Sequence, residues 1–322
     1  MKKSLLALAV LGAFAGAASA QSSVTIYGKL DQAVGKNVGT KDKEVRDGSG
    51  SRIGFRGVED LGGGLKALFQ IEHRLSPDTG ATTVSSTFWQ GVSTVGLGGS
   101  FGTVNLGRQY TAAFSLAQNV IDPFGGDSLG NLRGYSLTGS VATLRGGATA
   151  ATNFGGAGVN GGNTVRYDGK FGPVAVAADI SEAVGPDRPY SVAAQYAAGP
   201  LMVAASYENP TNANDDLITL GGSYTFGPAK VALGLGRGHN TADVTVKQAL
   251  VGVTVKVGAA GSVLAGYAQH KVGSADTAKK ISLGYRHDLS KRTQLYTDVT
   301  RVNDVIKTTE KTGYDFGIIH QF

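Results

Sequence analysis

Cationic side chains recur along this chain where a period-two pattern gathers them on one face of successive strands. In the stretch Val24-Thr25-Ile26-Tyr27-Gly28-Lys29-Leu30-Asp31, Val24 and Ile26 share one side, which leaves Thr25, Tyr27, Lys29 and Asp31 on the other. Ile53, Phe55 and Gly57 likewise oppose Arg52 and Arg56, and Leu65, Ala67, Phe69 and Ile71 oppose Lys66, Gln70, Glu72 and Arg74. Two further carboxylates, Asp122 and Asp127, bracket an apolar turn in Asp122-Pro123-Phe124-Gly125-Gly126-Asp127. Fixed charges of both signs on one wetted face form no bonds with a solute. They orient water and polar solutes and set ion preference, or they neutralise one another as structural pairs, with Asp31, Glu59 and Glu72 as the available acids. Arg108 stands apart. It has the parity of Val104 and Leu106, so it turns inward only if the strand ends there or bulges at Gly107.

Catalytic patterns are weak by comparison. Residues Gly156-Ala157-Gly158-Val159-Asn160-Gly161 match G-x-G-x-x-G, but no helix follows and a flexible loop is the plainer reading. Histidines 73, 239, 270, 287 and 320 are scattered without metal-ligand spacing, so neither a metal site nor another cofactor is expected. An outer-membrane hydrolase is the enzymatic alternative, with His270 or His287 as the base, yet nothing sets a nucleophile beside either. An adhesive or structural barrel is the third reading.

The elements that must carry these charges are strands. Alternating segments lie near residues 23–35, 50–60, 64–74, 87–97, 101–109, 163–171, 173–181, 190–198, 200–208, 216–226, 229–238, 243–257, 261–271, 278–288, 292–303 and 311–322, about sixteen in all, and no long helical periodicity competes with them. Their links alternate in length. Short ones contain Gly62-Gly63-Gly64, Gly172-Pro173, Gly199-Pro200 and Gly227-Pro228; longer polar ones cover 36–49, 75–86, 110–162, 209–215, 272–277 and 304–310. That alternation, with an apolar face outside and a polar face inside, describes an all-β transmembrane antiparallel β-barrel rather than a soluble sandwich. The final strand alternates Tyr314, Phe316, Ile318, His320 and Phe322 against Asp315, Gly317, Ile319 and Gln321 and marks the barrel end with Phe322.

Composition agrees. Residues 1–20 read as a signal peptide, with Lys2 and Lys3 before an apolar run and Ala18-Ser19-Ala20 as the cleavage site; 21–322 is then a single barrel domain. No later apolar run is long enough for a membrane helix. Cysteine is absent, so no disulfide holds the exported chain. Glycine is 49 of 322 residues, which suits many tight turns and crowded strands. The net charge of +6 includes the two leader lysines; the modest remainder favours anionic partners, and the absence of a basic block interleaved with aromatics excludes nucleic acid.

The chain resembles the general porins of Gram-negative outer membranes, most closely the β-proteobacterial type. The resemblance rests on Ser23-Val24-Thr25-Ile26-Tyr27-Gly28-Lys29-Leu30-Asp31, on Gly50-Ser51-Arg52-Ile53-Gly54-Phe55-Arg56-Gly57 with Glu59-Asp60-Leu61-Gly62, on Phe101-Gly102-Thr103-Val104-Asn105-Leu106-Gly107-Arg108, on the Asp122 to Asp127 segment and on terminal Phe322. It implies a trimeric sixteen-stranded, water-filled pore narrowed by an inward-folded third external loop. Wall cations at Lys29, Arg52 and Arg108 would face loop acids at Asp122 and Asp127. With Arg56 and Arg74 added, cations outnumber the two acids, and the expected function is passive diffusion of small hydrophilic solutes and inorganic ions with an anion preference that salt screens. Its lipid-facing side would meet outer-membrane lipid. Two departures stand out: the loop reads Asp-Pro-Phe where many members have Pro-Glu-Phe, and no arginine lies near 161–164, where Arg133 or Arg145 is the substitute.

Overall fold

Alternation along each strand leaves a ribbon with one apolar and one polar face, and in hydrocarbon such ribbons must pair edge to edge until no unpaired backbone remains. The computed structural model shows that closure; it describes residues 22–83, 87–125, 128–135, 163–182, 188–210, 214–240, 242–304 and 309–322. The expected signal peptide, Asp127, Arg145 and the glycine-rich stretch 146–162 lie outside the described residues.

Sixteen strands form the wall: β1 (Ser23–Lys36), β2 (Arg52–Gly62), β3 (Leu65–Ser76), β4 (Val92–Gly99), β5 (Gly102–Arg108), β6 (Thr164–Phe171), β7 (Val174–Ser181), β8 (Tyr190–Ala198), β9 (Leu201–Asn209), β10 (Asp216–Phe226), β11 (Ala229–His239), β12 (Thr245–Val257), β13 (Gly261–Val272), β14 (Ala275–Asp288), β15 (Thr293–Asp304) and β16 (Thr312–Gln321). Each pairs antiparallel with its sequence neighbours, and β1 pairs with both β2 and β16, which closes the ring. The backbone of Phe322 completes the seam: its N–H donates to the Gly28 carbonyl at 3.1 Å and its carbonyl accepts from Gly28 N–H at 3.0 Å. At the other end of the seam Lys36 Nζ lies 2.8 Å from Glu310, holding that exposed carboxyl below its ordinary value. No helix among the described residues is long and apolar enough to cross a membrane.

The faces follow the sequence pattern. Val24, Ile26, Val34, Phe69, Phe316 and Ile318 are exposed on the outside, while Asp31, Glu72, Arg74 and Asp315 are buried on the inside. Phe101, Phe171, Tyr196, Tyr224, Phe226 and Phe322 cluster at the short-turn end as an exposed aromatic girdle. Gly172, Gly199 and Gly227 open two-residue hairpin loops at φ of 60°, 55° and 56°, a conformation that matches strand twist and excludes most side chains.

The structure corrects two details of the expected links. The connection placed at 272–277 is a tight turn at 273–274: β14 starts at Ala275, and a register shift between His270 and Lys271 absorbs the mismatch with β13. Within the connection placed at 36–49, Glu44–Asp47 pairs with residues 32–35 of β1, so residues 48–51 form a protrusion between this segment and β2. The Asp47 carboxylate fixes it by accepting from Gly50 N–H, Ser51 N–H and Ser51 Oγ.

Candidate functional site

Strand register sets the wall cations side by side. Lys29 on β1 is directly opposite Arg52 on β2, and Arg52 is directly opposite Arg74 on β3. Like charges so placed repel, so each must be held. Lys29 Nζ donates to the Ser49 carbonyl at 2.5 Å and to Ser49 Oγ at 2.8 Å. Glu72 lies between the arginines, 2.9 Å from Arg74 Nε and 3.7 Å from Arg52 Nη1. Arg52 Nε also donates to the Gly50 carbonyl at 3.0 Å and Arg74 Nη1 reaches the same oxygen at 3.5 Å, so the protrusion at 48–51 contacts all three cations. Asp31 beside them is buried and accepts from Ser49 Oγ and, at 2.7 Å, from Tyr296 Oη.

Two same-face positions along, beyond the row Tyr27, Gly54 and Glu72, Arg56 pairs in register with Thr25 and Gln70. It is exposed, stacks over the Tyr27 ring at 5.3 Å and has no ion pair among the described residues. It lines a lumen chamber of about 400 Å³ together with Gln70, Glu72, Gln109, Tyr110 and Arg166. Lys66 is exposed near the short-turn end of β3, opposite Asp60.

Arg108 braces the wall backbone. Its Nε donates to the Gln90 carbonyl at 2.7 Å, and Gln90 Nε2 in turn donates to the Arg74 carbonyl at 2.9 Å. The strand ends at Arg108 after Gly107 at φ 117°, and Gln109 and Tyr110 are the next residues to reach the chamber. Arg108 thus secures the residues just before β4.

The third long connection folds into the barrel. Phe114–Gln118 forms a π-helical turn that continues through one α turn, Asn119–Ile121, and a 3₁₀ turn follows at Arg133–Tyr135. Its underside is apolar: Ile121, Phe124 and Leu132 pack on Ala232 of β11, Leu250 of β12 and Leu264 and Ala268 of β13. The wall leaves room for them by omitting side chains. A Cβ at Gly221 would fall 2.4 Å from Ile121 Cδ1, at Gly252 2.4 Å from Pro123 Cγ, and at Gly266 2.4 Å from Leu132 Cδ1.

Asp122 is buried, and its carboxylate is committed to backbone donors: Oδ1 accepts from Phe124 N–H at 2.9 Å, Oδ2 from Leu132 N–H at 2.6 Å and from Arg133 N–H at 2.7 Å. The acid read as facing the wall cations is therefore the latch between the two halves of the loop. Arg133 is also internal, donating to Asn119 Oδ1 at 3.1 Å and lying 4.7 Å over the Phe114 ring.

Three arginines outside the expected set also hold the wall and loop together. Arg166, two residues into β6, binds Asp168 at 2.6 Å, the Tyr110 carbonyl at 2.5 Å and Ser115 Oγ at 2.9 Å, tying the start of the inward loop to the wall. Its parity with Thr164 and Asp168, opposite exposed Val165, places it on the interior face. Arg286 pairs with Asp298 at 2.7 Å and, with Lys29, Phe124, Gly125 and Ser128, lines a cavity of about 200 Å³ between wall and loop. Arg46 pairs with Asp315 at 2.6 Å. Replacing Arg166 with alanine removes two charge-assisted bonds to the loop, each of ~1.5–3 kcal/mol, and leaves Asp168 without its ion pair. We expect a lower urea midpoint and a noisier open channel, whereas an unchanged midpoint would assign the tether elsewhere.

The histidines hold local contacts: His73 stacks on Phe88, His239 bonds Asp216, His270 bonds Thr277, His287 bonds Tyr285 and His320 bonds Thr293.

Comparison with known proteins adds independent findings. Residues 7–306 match the sequence model of a family described as Gram-negative porin. Outer membrane porin protein 32 of Delftia acidovorans is 33% identical over the full length of both chains, and an outer membrane porin protein of Bordetella pertussis is 29% identical over the full length of both. Among solved structures, one described as an anion-selective porin from Comamonas acidovorans superimposes with a TM-score of 0.74 at 28% identity, covering 94% of this chain and 100% of that one.

Proposed function

The chain belongs to the Gram-negative porin family, and from that premise we propose how its own residues set selectivity. The protein is an outer-membrane channel for passive diffusion. Small hydrophilic solutes and ions cross a wet lumen, and the fixed charges at its narrowest part sort them. The observation that carries the reading is the row Lys29, Arg52 and Arg74 in direct register on three adjacent strands, with Arg56 two same-face positions away. An arrangement that sets three cations side by side is electrostatically unfavourable in itself, and passing anions relieve it. Glu72 compensates part of the row, whereas Arg56 has no acid partner among the described residues. The channel therefore prefers anions.

Within this proposal Lys29, Arg52, Arg56 and Arg74 are the cationic wall. Arg286 supplies a further charge, partly cancelled by Asp298, and Asp127 is the acid that the loop offers in return. Asp122 acts by shaping the loop and Arg108 by securing the wall. Residues 1–20 direct export and are removed, Phe322 marks the chain for barrel insertion, and the mature protein assembles as a homotrimer. The support for the trimer is family resemblance.

Reconstitution of the refolded mature protein in a planar bilayer tests the reading. The expected result is stepwise conductance with a zero-current potential across a KCl gradient that favours chloride. A folded barrel that fails to conduct would send the search to the hydrolase or adhesin, and a hydrolysis assay would separate those two.

A further inference from the structure

Neutral oxygens hold much of the cation row, and the acid that aims those oxygens stands behind the wall. On the β2 side of β1, strand pairing stops at Lys29 and Arg52 and resumes at Gln32 and Asp47, so residues 48–51 bulge out of the ladder beside Leu30 and Asp31. The bulge supplies what the ladder omits. Gly48 N–H donates to the Asp31 carbonyl at 3.2 Å, and Asp31 N–H donates to Ser51 Oγ at 2.9 Å. Ser51 Oγ in turn donates to Asp47 Oδ1 at 2.7 Å, and the same carboxylate accepts from Ser51 N–H and from Gly50 N–H, each at 2.9 Å. Asp47 has the parity of Val45, which is exposed on the outside opposite Val34, so its carboxylate reaches the bulge from the side away from the lumen.

Pinned in this way, the bulge turns two successive carbonyls to the cations, which a regular strand would send in opposite directions. Gly50 at φ 78° permits that turn. The Ser49 carbonyl takes Lys29, and the Gly50 carbonyl takes Arg52 and Arg74. Ser49 Oγ stands between Lys29 Nζ, from which it accepts, and the Asp31 carboxylate, to which it donates. A carbonyl dipole holds a cation without cancelling its charge, whereas a carboxylate at contact distance cancels it. Two acids are within reach: Asp31 lies two residues from Lys29 on the same face, and Glu72 is 3.7 Å from Arg52 Nη1. Released from the bulge, the cations repel one another and close onto those acids.

We propose that Asp47 is a positioning residue for selectivity: an acid behind the wall that sustains anion preference by keeping Lys29 and Arg52 from collapsing onto Asp31 and Glu72. The proposal rests on the channel reading above. The expected sign is opposite to that of a lumen acid. Removing an acid strengthens anion preference through the long-range field, whereas removing Asp47 weakens it, because the freed cations are neutralised by their neighbours. A unit charge ~8 Å from a permeating ion is worth about a factor of two in the permeability ratio after screening at 0.1 M salt, for each cation so lost.

The test is the zero-current potential across a KCl gradient for the refolded mature wild type and three variants, with urea midpoints measured on the same samples. D47N keeps the size of the side chain, loses its charge and turns an NH2 group towards one of the donors of the bulge. It should lower the chloride-to-potassium permeability ratio about two- to fourfold. S51A removes the hydroxyl between Asp47 and Asp31 N–H without changing any charge, and it should shift the ratio in the same direction; it carries the test if D47N does not fold. E44Q removes an acid of the same segment whose carboxylate holds Asn37, and it should leave the ratio level or slightly raised. A ratio that stays level or rises in D47N, even with a lower midpoint, would overturn the proposal, as would an equal fall in E44Q, or an unchanged S51A where D47N does not fold. A wild type that does not conduct, or conducts without favouring chloride, would instead sink the channel reading.

Discussion

Replacing Asp122 with alanine should unlatch the inward-folded loop and raise single-channel conductance, the largest effect expected of any single substitution in this protein. The Asp122 carboxylate is the common acceptor for Phe124, Leu132 and Arg133 N–H groups, which lie on both sides of the loop's tip. Bonds to a charged acceptor are worth ~1.5–3 kcal/mol each, and a buried donor left unpaired adds its own penalty. Even one such loss, taken as about 3 kcal/mol, moves an equilibrium between latched and open loop more than a hundredfold. The apolar contacts of Ile121, Phe124 and Leu132 remain, so the loop should loosen rather than leave the lumen. Single-channel recordings should therefore show a higher mean conductance, greater open-state noise and weaker selectivity, and the urea midpoint should fall as it does for Arg166→Ala.

An independent variant approaches the same loop from the wall. Valine at Gly266 brings a Cβ to 2.4 Å from Leu132 Cδ1 and 2.9 Å from the Val251 carbonyl, and overpacking of this kind costs ~1–3 kcal/mol. It should shift conductance in the same direction as Asp122→Ala. If neither variant changes conductance or selectivity, the described part of the loop does not set the narrowest section, and attention moves to the wall.

Reversing charge at Arg56 gives the second large effect, on selectivity instead of conductance. A unit charge ~8 Å from a permeating ion in water contributes about 0.5 kcal/mol, and Arg56→Glu doubles that change by replacing attraction with repulsion. The anion and cation respond in opposite senses, so their permeability ratio moves by about 2 kcal/mol before screening. At 0.1 M salt, where the Debye length is ~10 Å, roughly a fivefold change should survive, and it should shrink as salt approaches 1 M. The zero-current potential across a KCl gradient reads this directly. Arg46→Gln is the comparison: its charge already sits 2.6 Å from buried Asp315, so its removal should alter selectivity much less and stability more. Equal shifts for the two variants would show that the long-range field of the whole lumen, and not the exposed cation, controls preference.

The strand pattern was readable because its cause is local. A residue's side of the wall is decided by parity within its own strand, and lipid outside with water inside imposes the same rule on every strand. Hence Lys29, Arg52, Arg56, Lys66 and Arg74 could be assigned to the interior from short stretches of chain, and the exposed Phe316 and Ile318 could be set against buried Asp315. Arg166 obeys the same rule and was readable in principle. The hairpin at 273–274 is not legible locally, because Ala275-Asp276-Thr277 resembles a polar link and pairs only through the register shift beside His270.

By itself, then, the sequence determined the barrel, the approximate number and order of its strands, the short and long ends, and which charges are wetted. Only the tertiary structure decided which of those charges are available to a passing ion. Arg46 meets Asp315 and Tyr296 meets Asp31 across the closing seam, 269 and 265 residues apart, and Glu72 comes between Arg52 and Arg74 through register. Asp122 was decided the same way, since its partners at 132 and 133 reach it only after the loop has folded onto a wall with glycines at 221, 252 and 266. Parity is a property of neighbours along the chain, whereas neutralisation and loop docking depend on ring closure, which brings together residues that no local pattern relates.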